Sequence, residues 1–468
     1  MTHIRTKAAR AIGAAALAGA LAGVGACSLD VQNPGIVDPG TLTDATALPT
    51  LRAGAIGDFA IGFAGTPVTA GGAAANEGVI LAGGTRADEF LNRDTFVGRR
   101  AIDVGNALPE NQQTPALFRN IQRARRSAEL AAARYAELSP DDPGHAEVLN
   151  LAGFATILVG ETFCPGAPFS ELNPTTNQIE PGPPLDRAAT FGRAIERFTQ
   201  AAAVAQRIAD DTARSAAVRA AARTQLNLSL IGRARATLQL TGAARVAEAA
   251  ALVAAVPTNF VYNVEFSTNT DRQNNGVFQY NNIQRRFGVA DREGTNGLPF
   301  VSARDPRVPT VVTTRNGLDG VAVPIVNQLK YAALDAPIPL ATGVEARLIQ
   351  AEAALLAGDR AAVAQQLTAA RTQAGLGAAD LTGLTDRQVA DLIFRERGFA
   401  LFATGHRLGD MRRLLLPPYS TQFGYEYTQV FPVGQYFKTG GPYREQPSIP
   451  VPLEETNNSE FTACLAAN

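Results

Sequence analysis

Apolar positions recur at helical spacing along most of the chain, and the interruptions between them set out its organisation. Leu48 to Phe63 keeps a three-to-four-residue rhythm, with Thr46 or Thr50 as cap, and predicts a first helix. A Gly-rich passage comes next, then a second apolar stretch from Ala73 to Leu91 that ends in Arg86-Ala87-Asp88-Glu89-Phe90. Gln112 to Leu138 is the clearest case. There Leu117, Ile121, Ala124, Ala128 and Ala131 share one face, while Arg119, Arg123 and Arg126 lie away from it. A Pro-Asp-Asp-Pro-Gly turn leads to a partner helix from Ala146 to Thr162, and the Pro-rich stretches around Pro165 to Pro184 mark a surface loop. Asp186 caps a helix to about Ala209, followed by Thr212 to Leu240 and Ala244 to Val256, parted at Thr241-Gly242. Periodicity returns at Val344 to Ala357, Ala361 to Ala374, Asp386 to Phe402 and His406 to Leu415.

Between Pro257 and Pro339 the texture changes. This stretch is dense in Asn, Gly and Pro, carries Tyr262, Tyr280 and Tyr331, and shows no amphipathic helix until Gly343. A passage so long inside a compact protein is usually functional or holds small structure of its own. Asn227 to Val256 and Arg347 to Ala374 repeat one scheme, a helix, a Gly turn and an alanine-rich helix. Repeated hairpins of this size predict a mainly α, tetratricopeptide-like curved scaffold with long irregular loops and few short strands, its function carried on the loops.

Composition adds a destination. The chain has 468 residues, 46% of them apolar and 18% charged. His3, Arg5, Lys7 and Arg10 precede an uncharged run from Ala11 to Val24, the layout of a secretory signal. That run is shorter than the roughly 20 residues of a spanning helix. Leu21-Ala22-Gly23-Val24-Gly25-Ala26-Cys27 resembles a bacterial lipobox, with Val24 where Leu is usual, and so implies lipidation of Cys27. Cleavage there would take the formal net charge from -1 to -4, which leaves no electrostatic footprint for nucleic acid. In an exported chain, the remaining Cys164 and Cys464 favour a disulfide over two unpaired thiols. A loop of that length contributes up to about 4–5 kcal/mol on the chain-entropy model.

Ala351-Glu352-Ala353, Ile393 to Arg397 with Gly405 to Arg413, and Pro450 to Glu455 together resemble motifs of the SusD/RagB family of nutrient-binding lipoproteins. Ala351-Glu352-Ala353 lies within Glu345 to Leu355 as in the family's Ala-Glu-Ala helix, and Ala370 to Leu376 is similar to its "vRxRAGL" ending. Ile393-Phe394-Arg395-Glu396-Arg397 followed by Gly405 to Arg413 resembles "I-x-x-E-R … G-x-R-W-x-D-L-x-R". Pro450 to Glu455 fits the closing "PIPxxE", and Leu29 to Pro34 the "L-D-x-x-N-P" after the lipidated cysteine. Asn120 to Gly160 fits the early helix pair, and the middle third is unmatched. Ala400 and Thr404 stand where the signature has Glu, and Leu408 where it has Trp. The resemblance implies residues 1–26 as signal peptide, 27–45 as tether and 46–468 as one SusD-like helical domain. Within it, an irregular excursion spans about 257–340 and the signature region about 341–468. It also implies an outer-membrane lipoprotein facing the cell exterior, which captures oligosaccharide or another nutrient for a TonB-dependent channel.

Catalytic chemistry is thin. His145 and His406 stand far apart with no cysteine beside them, so ordinary metal-ligand spacing is absent, and no cofactor motif is present. No Ser lies in a Gly-x-Ser-x-Gly elbow, and Lys438-Thr439 lacks the glycine of a phosphate loop. Glu396 and Asp410 read as partners in helix–helix ion pairs rather than as an acid/base couple, and no enzyme is expected. Binding suits the residues better: rings cover sugar faces while Asn, Gln and Arg bond hydroxyls. Tyr262, Phe278, Tyr280, Asn281, Asn282 and Arg285 offer that combination in the excursion, with Asp88, Arg93 and Phe96 as second candidates. The alternatives are that these rings merely pack the loop, and that the chain is a helical scaffold organising membrane partners without a ligand. The chain has no Trp, which leaves peptides or other small solutes open.

Overall fold

The computed structural model describes residues 44–67, 76–173, 178–461 and 463–464. The signal segment, Cys27 and the tether as far as residue 43 lie outside the described residues. Residues 44–47 belong to a separate amino-terminal unit, in which Ala45–Ala47 makes a single helical turn. All other elements lie in the unit that begins at Leu48.

The architecture is mainly α. Helix α1 (Leu48–Ala64) packs on α4 (Thr114–Leu138), and between them in sequence come α2 (Gly78–Arg86), strand β1 (Phe90–Asn92) and α3 (Val97–Val104). Short turns then fold consecutive helices back on each other. These are α4 with α5 (Pro143–Thr162), α6 (Arg187–Asp210) with α7 (Ala216–Leu238), and α8 (Ala243–Leu252) against α7. Helices α9 (Gly343–Leu356), α10 (Arg360–Thr372), α11 (Asp386–Ala400) and α12 (Arg407–Leu414) complete the array. No helix among the described residues is long and apolar enough to cross a membrane.

Local chemistry explains where the helices start. Asp142 accepts from Gly144 N at 2.7 Å with Pro143 in the first turn, and Asp186 accepts from Ala189 N at 2.7 Å. Thr342, Asp359 and Thr385 cap α9, α10 and α11, the last in a reciprocal capping box with Gln388. Several expected boundaries move, two of them for a clear local reason. Helix α7 begins at Ala216 rather than Thr212, because Ser215 supplies its cap. Helix α2 ends at Arg86 rather than Leu91, because Phe90–Asn92 leaves to pair with a strand of the excursion.

The excursion holds short structure rather than an open loop. Strand β6 (Val261–Val264) pairs with β10 (Ile338–Thr342), and β7 (Phe287–Val289) pairs with β1. Strands β8 (Thr310–Asn316) and β9 (Pro324–Gln328) form a hairpin. A helical turn at Gly276–Phe278 continues into a π-turn over Gln279–Ile283. The Pro-rich loop after α5 holds β2 (Ala167–Pro168) with β5 (Pro184–Leu185), and β3 (Glu171–Leu172) with β4 (Ile179–Glu180).

Small residues let these helices close on one another. A Cβ on Gly153 of α5 or Gly232 of α7 would lie 2.7 Å or 2.3 Å from the Phe198 ring, which fills the space between them. At the centre, Asp410 accepts from Arg397 at 2.8 and 2.9 Å and from Arg413 at 3.0 Å, while Glu352 pairs with Arg413 and Tyr419. Burial opposes it, but Arg397 and Arg413 hold the Asp410 carboxyl far below the usual range. Beside Ala400 and Thr404, where the signature would place Glu, a cavity of about 120 Å³ is lined also by Lys330, Glu345 and His406. Cys164 and Cys464 are joined, their Cα atoms 5.7 Å apart.

Candidate functional site

The residues singled out in the excursion do not open onto a common site. The Tyr262 hydroxyl donates to Glu147 at 2.6 Å, and Tyr280 is fully buried, donating to the Thr66 carbonyl at 3.0 Å. Both amides of Asn281 and Asn282 are engaged with the backbone or side chain of Gln328, and Asn281 also donates to Phe287 O at 2.8 Å. Arg285 has a left-handed backbone at φ 58° and donates to Asn316 O, and Phe278 is half-buried within its helical turn. These groups join the π-turn to β8, β9 and the helices. Asp88 and Arg93 likewise have internal partners. Asp88 is buried against Arg407 at 2.7 and 2.9 Å, and Arg93 against Asp319 at 2.9 Å and Val323 O at 2.7 Å.

Phe96 is different. It stands just before α3 with 47% of its surface exposed, beside Val97 and, across a cleft of about 900 Å³, Leu108. The Phe96 ring rests on a charged base: the Arg99 and Arg286 guanidiniums lie 4.9 and 5.4 Å from its centroid. Both pair with Asp94, and Arg99 also with Glu77 at 3.2 Å. Burial works against it, yet Arg286 and Arg99 keep the Asp94 carboxyl below its usual range. The ring is thus fixed without being covered.

Three segments wall the cleft. Helix α3 presents Val97, Arg100, Ala101 and Val104, the single stripe expected at helical spacing. The segment before α4 adds Asn106, Leu108, Gln112 and Gln113, whose side-chain amides make no hydrogen bond among the described residues. Asn111 is spent on the wall itself, donating to Gly98 O at 2.9 Å; a Cβ on Gly98 would stand 2.7 Å from its oxygen. The third wall is a hairpin over 434–444, closed by Tyr436 N to Gly441 O at 2.7 Å and Tyr443 N to Gly434 O at 3.0 Å. It is pinned at both ends. Asn296 donates to Phe431 O at 2.7 Å before it, and Arg444 N donates to Val104 O at 2.8 Å after it.

Behind the hairpin two carboxyls face each other, Asp103 fully buried and Glu293 nearly so. Tyr436 donates to Asp103 at 2.9 Å and Tyr443 to Glu293 at 2.9 Å. Burial raises Asp103 to about 6 and, together with repulsion from Asp103, raises Glu293 well above the carboxylate range. Burial and their mutual repulsion thus make the pair hold on to protons that isolated carboxyls would release.

A second open cleft of about 680 Å³ lies along the outer face of α4 and the segment after Pro452. Its only ring, Phe118, is 4% exposed, so it offers no stacking surface. Glu396 and Asp410 are both locked in ion pairs, the former with Arg307 and Arg371, and face no cleft together.

No protein-family model matches the sequence, and no curated protein matches it. Solved structures do match. Surface glycan-binding protein A from Bacteroides uniformis aligns with a TM-score of 0.63 at 12% identity, covering 90% of this chain and 99% of that one. A SusD-like protein from Bacteroides fragilis aligns at 0.62 and 14%, over 92% and 98%. The fold is SusD-like. A laminarin-binding SusD-like protein aligns at 0.57 and 12%, over 90% and 99%. Likeness over nearly whole chains, despite so little identity, places the helical hairpins and the intervening excursion in one SusD-like arrangement. Within it the Phe96 cleft lies between an early helix and the carboxyl-terminal hairpin, and the sequence points only to its ring. Leu108-Pro109-Glu110-Asn111-Gln112-Gln113, an apolar residue beside Pro and planar amides between two helices, is the available signal for the rest.

Proposed function

We propose that this chain is a SusD/RagB-type surface lipoprotein that captures glycans in the Phe96 cleft. The observation that carries this reading is a ring fixed on a paired-arginine base, exposed to a cleft with free Asn106, Gln112 and Gln113 amides. Such a ring covers the apolar face of a pyranose while amides exchange bonds with its hydroxyls. Two of the similar structures are named as glycan- or laminarin-binding, which supports a saccharide ligand. The lipobox-like segment ending at Cys27 supports attachment to the outer membrane, and the family resemblance supports delivery to a TonB-dependent channel and a binder rather than an enzyme.

Isothermal titration of the soluble form beginning after Cys27 against a panel of oligosaccharides tests the binding step. Phe96→Ala is expected to weaken the bound glycan about tenfold or more, with an unchanged melting temperature. Wild-type protein that binds no glycan, or full affinity in the Phe96→Ala variant, would overturn the reading.

A further inference from the structure

Around the cleft, nearly every cation is already matched. Arg99 and Arg286 share Asp94, Arg93 and Lys438 share Asp319, and Arg86 donates to Tyr427 and the Gln446 carbonyl. Arg100 and Arg444 break the pattern. Both line the cleft, and neither guanidinium has an ion pair or hydrogen bond among the described residues.

Their backbones are set close together. Arg100 lies one turn before Val104 on the cleft-facing stripe of α3. Arg444 donates its N–H to the Val104 carbonyl at 2.8 Å, and its own carbonyl accepts from Tyr427 at 2.9 Å and from Gln446 N at 3.1 Å. That carbonyl would stand only 2.6 Å from a Cβ on Gly105, so Arg444 is seated directly on the end of the helix. Two flexible guanidiniums rooted about one helical turn apart can close on a single anion. Among the described residues that line the cleft, exposed Glu110 is the one acidic group, so this lining carries a net charge of +1.

We infer that the Phe96 cleft selects acidic glycans, with Arg100 and Arg444 forking onto a carboxylate or sulfate carried by the sugar. This rests on the glycan-binding reading and narrows it. A guanidinium fork matches either oxyanion in two-point geometry, and with a ring beside it recognises charge and sugar face together. Such a contact at an open cleft is screened by salt.

The test compares three oligomers of equal length: a galacturonate oligomer, a sulfated galactan oligomer and a neutral glucan oligomer. At about 0.02 M salt one or both acidic oligomers are expected to bind at least about tenfold tighter than the neutral one, with the preference shrinking at about 0.5 M. Which acidic oligomer gains shows whether the group is carboxylate or sulfate. The double variant Arg100→Gln, Arg444→Gln is expected to bring the acidic-to-neutral ratio to about one, and Glu110→Gln to increase it. Equal wild-type affinity for all three, or a preference that survives in the double variant, overturns the inference while leaving glycan capture intact. Failure of all three to bind overturns the inference, and glycan capture falls with it when the wider oligosaccharide panel also yields no ligand.

Discussion

Asp103 and Glu293 lie buried behind the hairpin wall, and the raised titration of both sets a pH dependence. In an unfolded chain both would lose their protons near pH 4. The folded state holds them longer, because burial raises Asp103 to about 6 and Glu293 further. The native state thus binds more protons across that window, so stability from this pair is greatest in acid and falls as pH rises through it. Glu89, raised to about 8 chiefly by burial, acts in the same direction. Glu293→Gln keeps a donor toward Asp103 without the charge. Its melting temperature relative to wild type is expected to be more favourable at pH 8 than at pH 5, as measured by calorimetry; an equal difference at both would refute the raised titration of the pair. Side-chain partnerships of this kind are the least legible feature of the sequence. Tyr262 and Glu147 meet across 115 positions and Asp88 and Arg407 across 319, so their types suggest ligand contacts while their partners stay out of view. Phe96 is legible as an aromatic residue in a loop, but its exposure depends on Arg286, which arrives from the excursion.

Elements are easier to read, because a helix announces itself within its own segment. The stripe through Leu117, Ile121, Ala124, Ala128 and Ala131 is the buried face of α4, and Asp186 caps α6 as its type and position imply. Strand pairings are hidden, since β6 and β10 are brought together only by the turns between them and each is too short for a clear alternation. Alanine-rich helices bury little area apiece and gain stability by close approach. Gly232→Ala tests that approach, because its new methyl would overlap the Phe198 ring, which Gly153 backs from the other side. We expect a loss of about 1–3 kcal/mol in urea unfolding, with little change in the helical circular-dichroism signal. A neutral result would mean the ring has room to turn.

At the scale of the molecule, a disulfide fastens one end, and the proposed lipidation of Cys27 would anchor the other. The Cys164–Cys464 bond closes a loop of 300 positions, and Cys164 N also donates to Ile449 O at 2.9 Å, so the carboxyl-terminal segment is fastened twice beside the end of α5. Cys464→Ser is expected to lower stability by up to about 4–5 kcal/mol and to abolish the further loss that a reductant causes in wild type. Matching unfolding curves for variant and wild type under oxidising conditions would contradict it. At the other end, Cys27→Ser is expected to move the protein from the membrane fraction to the soluble one, checked by fractionation and by incorporation of labelled fatty acid. The SusD-like plan as a whole is legible from scattered motifs, although Ala400, Thr404 and Leu408 depart from them. The packing of α11 and α12 tolerates those departures because Arg397, Asp410, Arg413 and Glu352 still interlock.

The hairpin over 434–444, staked at Phe431 on one side and Val104 on the other, gives the cleft a rim that does not need to fold around its guest. Under the proposed glycan capture, a sugar entering there would meet a finished surface, with little chain entropy lost on its arrival. Good and poor ligands would then dock at similar speeds and differ in how long they stay, in keeping with the proposed delivery to a channel.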